Sequence, residues 1–252
     1  MKLKNKSKQK RWAYGITTVL ERKNNLFPRT LASLCEAGFS KPRIFVDGAS
    51  NIIDYEKFVE QSMITVRYPK LRTAGHWILS LYELFIRDPQ CHYYAIFQDD
   101  FVTYKNLRQY LEQCKYPDKG YWNLYTFPIN QTRAPKEGIG WYLSNQMGKG
   151  AVALVFNRDA VVELLSSRHM AERPMDSKRG WRAIDGGIVT GFKKAGWQEW
   201  VHNPSLVQHT GEVSAIGNRP HPQATSFQGE EYNALDMLPE DRECLQTNLV
   251  TE

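Results

Sequence analysis

The stretch Tyr93-Tyr94-Ala95-Ile96-Phe97-Gln98-Asp99-Asp100 decides how this chain is read. Its first five residues are apolar or aromatic in unbroken succession, the strongest buried-strand signal in the sequence. The strand then delivers two adjacent carboxylates at its C-terminal end. Two like charges side by side repel, so the pair needs a cation or a rich set of hydrogen-bond donors. Hard divalent cations take oxygen ligands and commonly bridge a carboxylate to a substrate diphosphate. The plainer alternative is a polar turn that happens to hold two acids.

Working outward, apolar runs alternate with helical patterns on both sides of this strand. Upstream, residues 13–20 read as a strand, and Pro28 opens a helix with Leu31, Leu34 and Cys35 on one face and Gly38 at its end. Residues 43–48 form a second strand running into a turn, and 63–67 a short third one. Trp77, Ile78, Leu81, Leu84 and Phe85 mark a helix stopped by Asp88-Pro89. Downstream, Leu107, Tyr110, Leu111 and Cys114 make another helical stripe, and 122–127 and 151–156 are further strands. Asn157 is placed to cap a helix through Leu165, and 184–195 is helical despite Gly186, Gly187 and Gly191. Beyond Gly211 the pattern fades. Alternation of this kind predicts an α/β fold with a mixed, mostly parallel sheet flanked by helices. Ligands of such sheets bind at the carboxyl ends of the strands, so chemistry is sought there.

Composition agrees with a soluble domain that has a real core. At 252 residues the chain suits one large domain or a domain with a tail, and 42% of it is hydrophobic against 24% charged. The expected division is a basic head over 1–12, a catalytic domain over 13–218 and a polar, acidic tail over 219–252. No stretch approaches the ~20 consecutive apolar residues of a membrane span. The head has no apolar core behind its charges, so the expected location is cytoplasmic. Cys35, Cys91, Cys114 and Cys244 form no C-x-x-C pair, which argues against a structural zinc site. Cys35 and Cys114 are expected to be buried thiols. Net charge is +6, with Lys2, Lys4, Lys6, Lys8, Lys10 and Arg11 crowded at the head. A solvated terminus is the plain reading of that head, and a polyanion-binding arm the sharper one.

Two later segments carry further candidates. Asn203 to Gly211 ends in Gln208-His209-Thr210-Gly211, a loop-like position where an imidazole could complete a metal site. Asp185 opens the helix after Trp181-Arg182-Ala183-Ile184 and is either a first-turn acid or a general base. Gly148-Lys149-Gly150 lacks phosphate-loop spacing and reads as a simple turn.

Together, Gln98-Asp99-Asp100, Asp185 and Pro204-Ser205-Leu206-Val207-Gln208-His209 resemble the motifs of the type-A glycosyltransferases (GT-A fold, Rossmann-like), especially those in or near family 2. Their order and spacing match over roughly residues 13–218, with Gln98 standing where an acid is frequent. The resemblance implies a UDP-sugar or related donor with Mn²⁺ or Mg²⁺. It implies that Asp100 and His209 bind the metal, and that Asp99 contacts the ribose or sugar. Asp47 and Thr17 would bind the nucleoside, and Arg72 and Gly75 would lie in the segment passing over the donor. Asp185 would be the base of an inverting displacement. From the basic character, with Lys178, Arg179 and Arg182 near the proposed base, the expected acceptor is a hydroxymethylated pyrimidine in DNA, as in bacteriophage base-modifying enzymes working in the host cytoplasm. Trp181 is placed to stack on a flipped base. A cell-envelope glycan or lipid acceptor, and a non-catalytic nucleotide- or nucleic-acid-binding module, are the alternatives.

Overall fold

A computed structural model describes residues 10–134, 138–172, 184–211 and 222–239. In chain order the elements are β1 (Trp12–Val19), α1 (Leu26–Glu36), β2 (Arg43–Asp47), β3 (Ile64–Arg67), α2 (Arg72–Arg87), β4 (Tyr93–Gln98), β5 (Phe101–Thr103), α3 (Leu107–Gln113), β6 (Gly120–Asn123), α4 (Pro128–Gln131), β7 (Gly140–Leu143), β8 (Ala153–Asn157), α5 (Arg158–Ser166), α6 (Arg168–Glu172), α7 (Asp185–Lys193), β9 (Gln198–Asn203) and β10 (Val207–His209).

Eight strands form one sheet in the order β3-β2-β1-β4-β8-β6-β9-β7. The half from β3 to β4 is parallel throughout. Beyond β4 the sheet is mixed: β8 enters antiparallel to both β4 and β6, β9 runs parallel to β6, and β7 closes the edge antiparallel. The fold is thus α/β with helices on both faces. Period-two alternation sorts the strand side chains between two cores. Ile44, Val46, Ala95 and Phe97 join α1 and α3 on one face, while Phe45, Tyr94 and Ile96 join α2, α5 and α7 on the other. This double covering is why β4 reads as an unbroken apolar run.

A two-stranded ribbon stands apart from this sheet. β5 and β10 pair antiparallel, with His209 opposite Phe101. Three residues on each side bring the late histidine back to the end of β4.

Local signals mostly place the elements where the sequence predicts. The Asn157 side chain accepts from Ala160 N at 2.8 Å and caps α5. Helix α1 starts earlier than expected, at Leu26, because the Asn25 side chain takes the first amide. Pro28 then falls in the first turn, where its missing N–H removes no helical bond. The strand expected over 122–127 is β6 and ends at Asn123, whose side chain accepts from Tyr125 N and turns the chain out of the sheet. The expectation for Cys35 is corrected. The buried face of α1 runs through Phe27, Thr30, Ser33 and Leu34, which leaves Cys35 exposed, while Cys91 is buried and Cys114 half-buried. Strands β5, β7, β9 and β10 are additions to the sequence reading.

The segment after the faded pattern returns to the fold. Ala224, Ala234 and Met237 are buried, and Phe227 stacks on Tyr104 with ring centroids 4.8 Å apart. At the other end, Lys10 donates to Glu112 O at 2.9 Å and to the Tyr93 hydroxyl at 3.1 Å. Lys2, Lys4, Lys6, Lys8, Lys178, Arg179, Trp181, Arg182 and Cys244 lie outside the described residues. Among those described, no helix is long and apolar enough to cross a membrane.

Candidate functional site

Strands β1 and β4 are parallel neighbours, with Thr17 level with Gln98, so their C-terminal ends open at one place. There Thr18 Oγ1 donates to Asp99 Oδ2 at 2.6 Å. Arg22, in a short 3-10 turn directly after β1, places Nη1 2.6 Å from Asp99 Oδ1 and 2.6 Å from Asp100 Oδ2. Asp99 is 3% and Asp100 2% exposed. His209, carried in by β10, has Nε2 3.3 Å from Asp100 Oδ2. The Gly211 amide donates to His209 Nδ1 at 3.1 Å, which assigns the ring proton to Nε2 and makes it the donor to Asp100. Gly211 is required by close approach: a Cβ there would stand 2.8 Å from the His209 ring and 3.0 Å from Asp100 Oδ2.

The two acids differ electrostatically. Burial, reinforced by the neighbouring Asp100 charge, holds Asp99 above the usual carboxylate range despite Arg22 and Thr18. Burial pushes Asp100 the same way, but the hydrogen bond from His209 together with the Arg22 guanidinium outweighs it, so Asp100 lies below that range.

Asp185, the first residue of α7, stands at a second acidic centre. Its Oδ2 accepts from Gly150 N at 2.9 Å and Ala151 N at 3.2 Å. The helix N-terminus adds its own positive potential. Gly148 allows this approach, with φ of +63° and a Cβ position only 2.4 Å from Asp185 O. The same segment touches the acid pair's strand, since Gln98 Nε2 donates to Ala151 O at 2.9 Å and Gln98 N to Val152 O at 2.8 Å. Asp185 and the Asp99–Asp100 pair therefore share one support. Behind Asp185, the buried Glu199 on β9 accepts from the Tyr121 hydroxyl at 3.0 Å and Asn123 Nδ2 at 3.2 Å. Burial raises its pKa against the surrounding donors, and the Asp185 charge raises it further.

The other sequence candidates sit on the parallel half. Asp47, at the end of β2, accepts from Leu71 N at 2.7 Å and Arg72 N at 2.8 Å, one amide to each oxygen. These bonds hold Arg72 in the left-handed region at φ +62°, at the start of α2, where Gly75 is buried in the first turn. Thr17 Oγ1 donates to Phe97 O at 3.2 Å, so Thr18 and not Thr17 touches the acid pair. Thr18 enters the sequence reading only beside Thr17, as part of the first strand of the nucleotide half, and Arg22 and Glu199 are absent from it. The demand of two adjacent acids for a cation is the one signal that points toward Arg22.

The cluster fits a hard divalent cation. Asp100 Oδ1 is buried with no hydrogen-bond partner among the described residues, and a cationic nitrogen already stands where oxygens of both acids converge. Carboxylate oxygens with one imidazole are a donor set such ions accept, once the ring proton has moved from Nε2 to Nδ1 and Nδ1 has given up its bond from Gly211 N. Among the described residues no three His, Cys, Asp or Glu side chains form a complete ligand group. An ion at Asp100 Oδ1 would therefore need further ligands from outside these side chains.

No protein-family model matches the chain, and no characterised protein sequence matches it. Among solved structures it is similar to a nucleoside-diphosphate-sugar pyrophosphorylase from Vibrio cholerae, at 12% identity and a TM-score of 0.43 over 79% of this chain and 95% of that one. It is also similar to a mannose-1-phosphate geranyltransferase from Thermus thermophilus, at 12% identity and a TM-score of 0.40 over 75% and 73% of the respective chains. Both are likenesses of backbone course, at identities too low to transfer residue roles.

Proposed function

We propose that this protein is a type-A glycosyltransferase that moves a hexose from a nucleoside diphosphate sugar, UDP-linked in the first instance, to an acceptor hydroxyl with inversion. The observation that carries the reading is the meeting of Asp99 and Asp100 with His209 at the carboxyl end of the sheet. A divalent cation held by Asp100 and His209 would supply Lewis-acid neutralisation of the charge that builds on the departing diphosphate.

The chain's own residues do the rest. Asp99, fixed by Thr18, accepts hydroxyls of the ribose or sugar. Asp47 and Thr17 stand at neighbouring strand ends for the nucleoside, with Arg72 and Gly75 in the turn beside them. The Gly150 and Ala151 amides pin one oxygen of Asp185, which directs the other at the acceptor hydroxyl as general base. Residues 13–218 form the catalytic unit, with 222–239 packed onto it. The acceptor follows from charge: a net +6 with a basic head favours a polyanion, and a hydroxymethylated pyrimidine in DNA supplies both phosphates and a hydroxyl.

The test incubates the protein with Mn²⁺ and a panel of nucleotide sugars, first for donor hydrolysis. Hydroxymethylcytosine or hydroxymethyluracil DNA is then added, digested and searched for a hexose mass shift on the nucleoside. A shift on the nucleoside is the expected result. Transfer only to a saccharide or lipid removes the DNA acceptor, and no turnover of any donor removes the transferase reading.

A further inference from the structure

Arg22 is the one cation in contact with both acids among the described residues, and its contacts are unlike those of a structural clamp. A guanidinium that locks a carboxylate normally does so with two nitrogens on two oxygens. Here a single nitrogen, Nη1, reaches both acids, and Asp100 Oδ1 is left buried without a partner among the described residues. Arg22 therefore occupies the convergence point as a point charge and leaves coordination capacity unused. Its setting also permits departure. It ends a three-residue turn with no side-chain cap, its own side chain is 13% exposed, and the acids behind it are almost fully enclosed.

We propose that Arg22 is a resident counter-cation, exchanged for the divalent cation and the donor diphosphate together. The proposal rests on the transferase reading above. In the donor-free protein Arg22 offsets the repulsion between Asp99 and Asp100. A divalent ion at the same oxygens would repel the guanidinium, which then turns to the diphosphate, an anion its planar fork binds well. Metal and nucleoside diphosphate each favour the displaced arginine, so each strengthens binding of the other, and the coupling is reciprocal. No covalent step is involved.

Mn²⁺ binding to the full chain, followed by the electron paramagnetic resonance of the free ion with and without UDP, tests this independently of turnover. Wild type is expected to bind Mn²⁺ weakly alone and tightly with UDP. A group that closes the site in all but one molecule in ten to a hundred weakens apparent affinity by that factor, so Arg22→Gln should tighten Mn²⁺ alone about ten- to a hundredfold. The extra tightening by UDP should shrink accordingly. Should Arg22→Gln fail to fold, the pair Arg22→Gln with Asp99→Asn, which removes one charge of each sign, is compared with Asp99→Asn alone. Unchanged or weaker Mn²⁺ affinity in the arginine variant, with UDP enhancement as in wild type, overturns the exchange and leaves the metal reading standing. No Mn²⁺ binding to either protein even with UDP overturns both.

Discussion

Two acidic centres lie at the same end of the sheet and are balanced by opposite means. Asp99 and Asp100 are met by side chains: the Arg22 guanidinium, the Thr18 hydroxyl and the His209 imidazole. Asp185 is met by the main chain, through Gly150 and Ala151 amides, and the acid behind it, Glu199, by neutral donors. A side-chain cation can be exchanged by rotation about a few single bonds. Main-chain amides cannot leave without moving the backbone. The first centre is therefore suited to take and release a charged ligand, and the second to hold one carboxylate in a fixed direction. Under the proposed reading these are the needs of a metal–diphosphate site and of a general base.

Removing the first centre should have the largest effect. Asp100→Ala should lower transfer by about a thousandfold or more, since electrostatic stabilisation of a leaving group is usually the largest single term. Chelation of wild type should do the same, with circular dichroism unchanged; full turnover in excess chelator contradicts the metal role. Asp185→Asn comes next, because an amide keeps the shape and the bonds from Gly150 and Ala151 but cannot take a proton. Transfer should fall on the order of a hundredfold or more while UDP binding holds. A loss of UDP binding instead would place Asp185 with the first centre. Gly148→Ala tests rigidity alone. The added methyl meets Asp185 O at 2.4 Å in a left-handed turn, so the start of α7 must shift. Displacement of that size should cost transfer roughly ten- to a hundredfold with donor hydrolysis nearly intact. Equal loss of both would show that the two centres are not separable.

The first centre is more legible in the sequence than the second, and the reason is range. The apolar run of β4 ending in two acids is local, and so is its demand for a cation. The identity of that cation depends on β1 lying beside β4 and on a turn of three residues, neither of which leaves a local pattern. His209 is reached by likeness to a motif, whereas the ribbon that delivers it is too short for alternation to register. Asp185 is visible as the head of a helix, yet Gly148 and Gly150 read only as a turn, because their partner lies across the fold. Glu199 is invisible: in Gln198-Glu199-Trp200 it looks like an exposed polar position, and only its register between β6 and β7 buries it. Cys35 is misplaced by sequence because the buried face of α1 is set by Phe27 and Thr30, one of them upstream of the proline that phases the sequence reading.

The smallest expected effect concerns Glu199 and measures how well neutral donors replace a cation. Its folded pKa is raised by burial. Below the pH where an unfolded glutamate titrates, both states hold the proton and the residue's full favourable contribution is present. As pH rises through the folded value, the buried group either keeps a proton the unfolded chain has released or ionises unfavourably, and that contribution is lost. Glutamine does not titrate. Urea unfolding of wild type and Glu199→Gln from about pH 4 to 8 should therefore show wild type losing ground to the variant as pH rises, each unit of upward shift being worth about 1.4 kcal/mol. Parallel curves would mean that Tyr121 and Asn123 stabilise the carboxylate as fully as water does. A reversed slope would mean that an unseen cation balances this centre too, and the contrast between the two centres would fail.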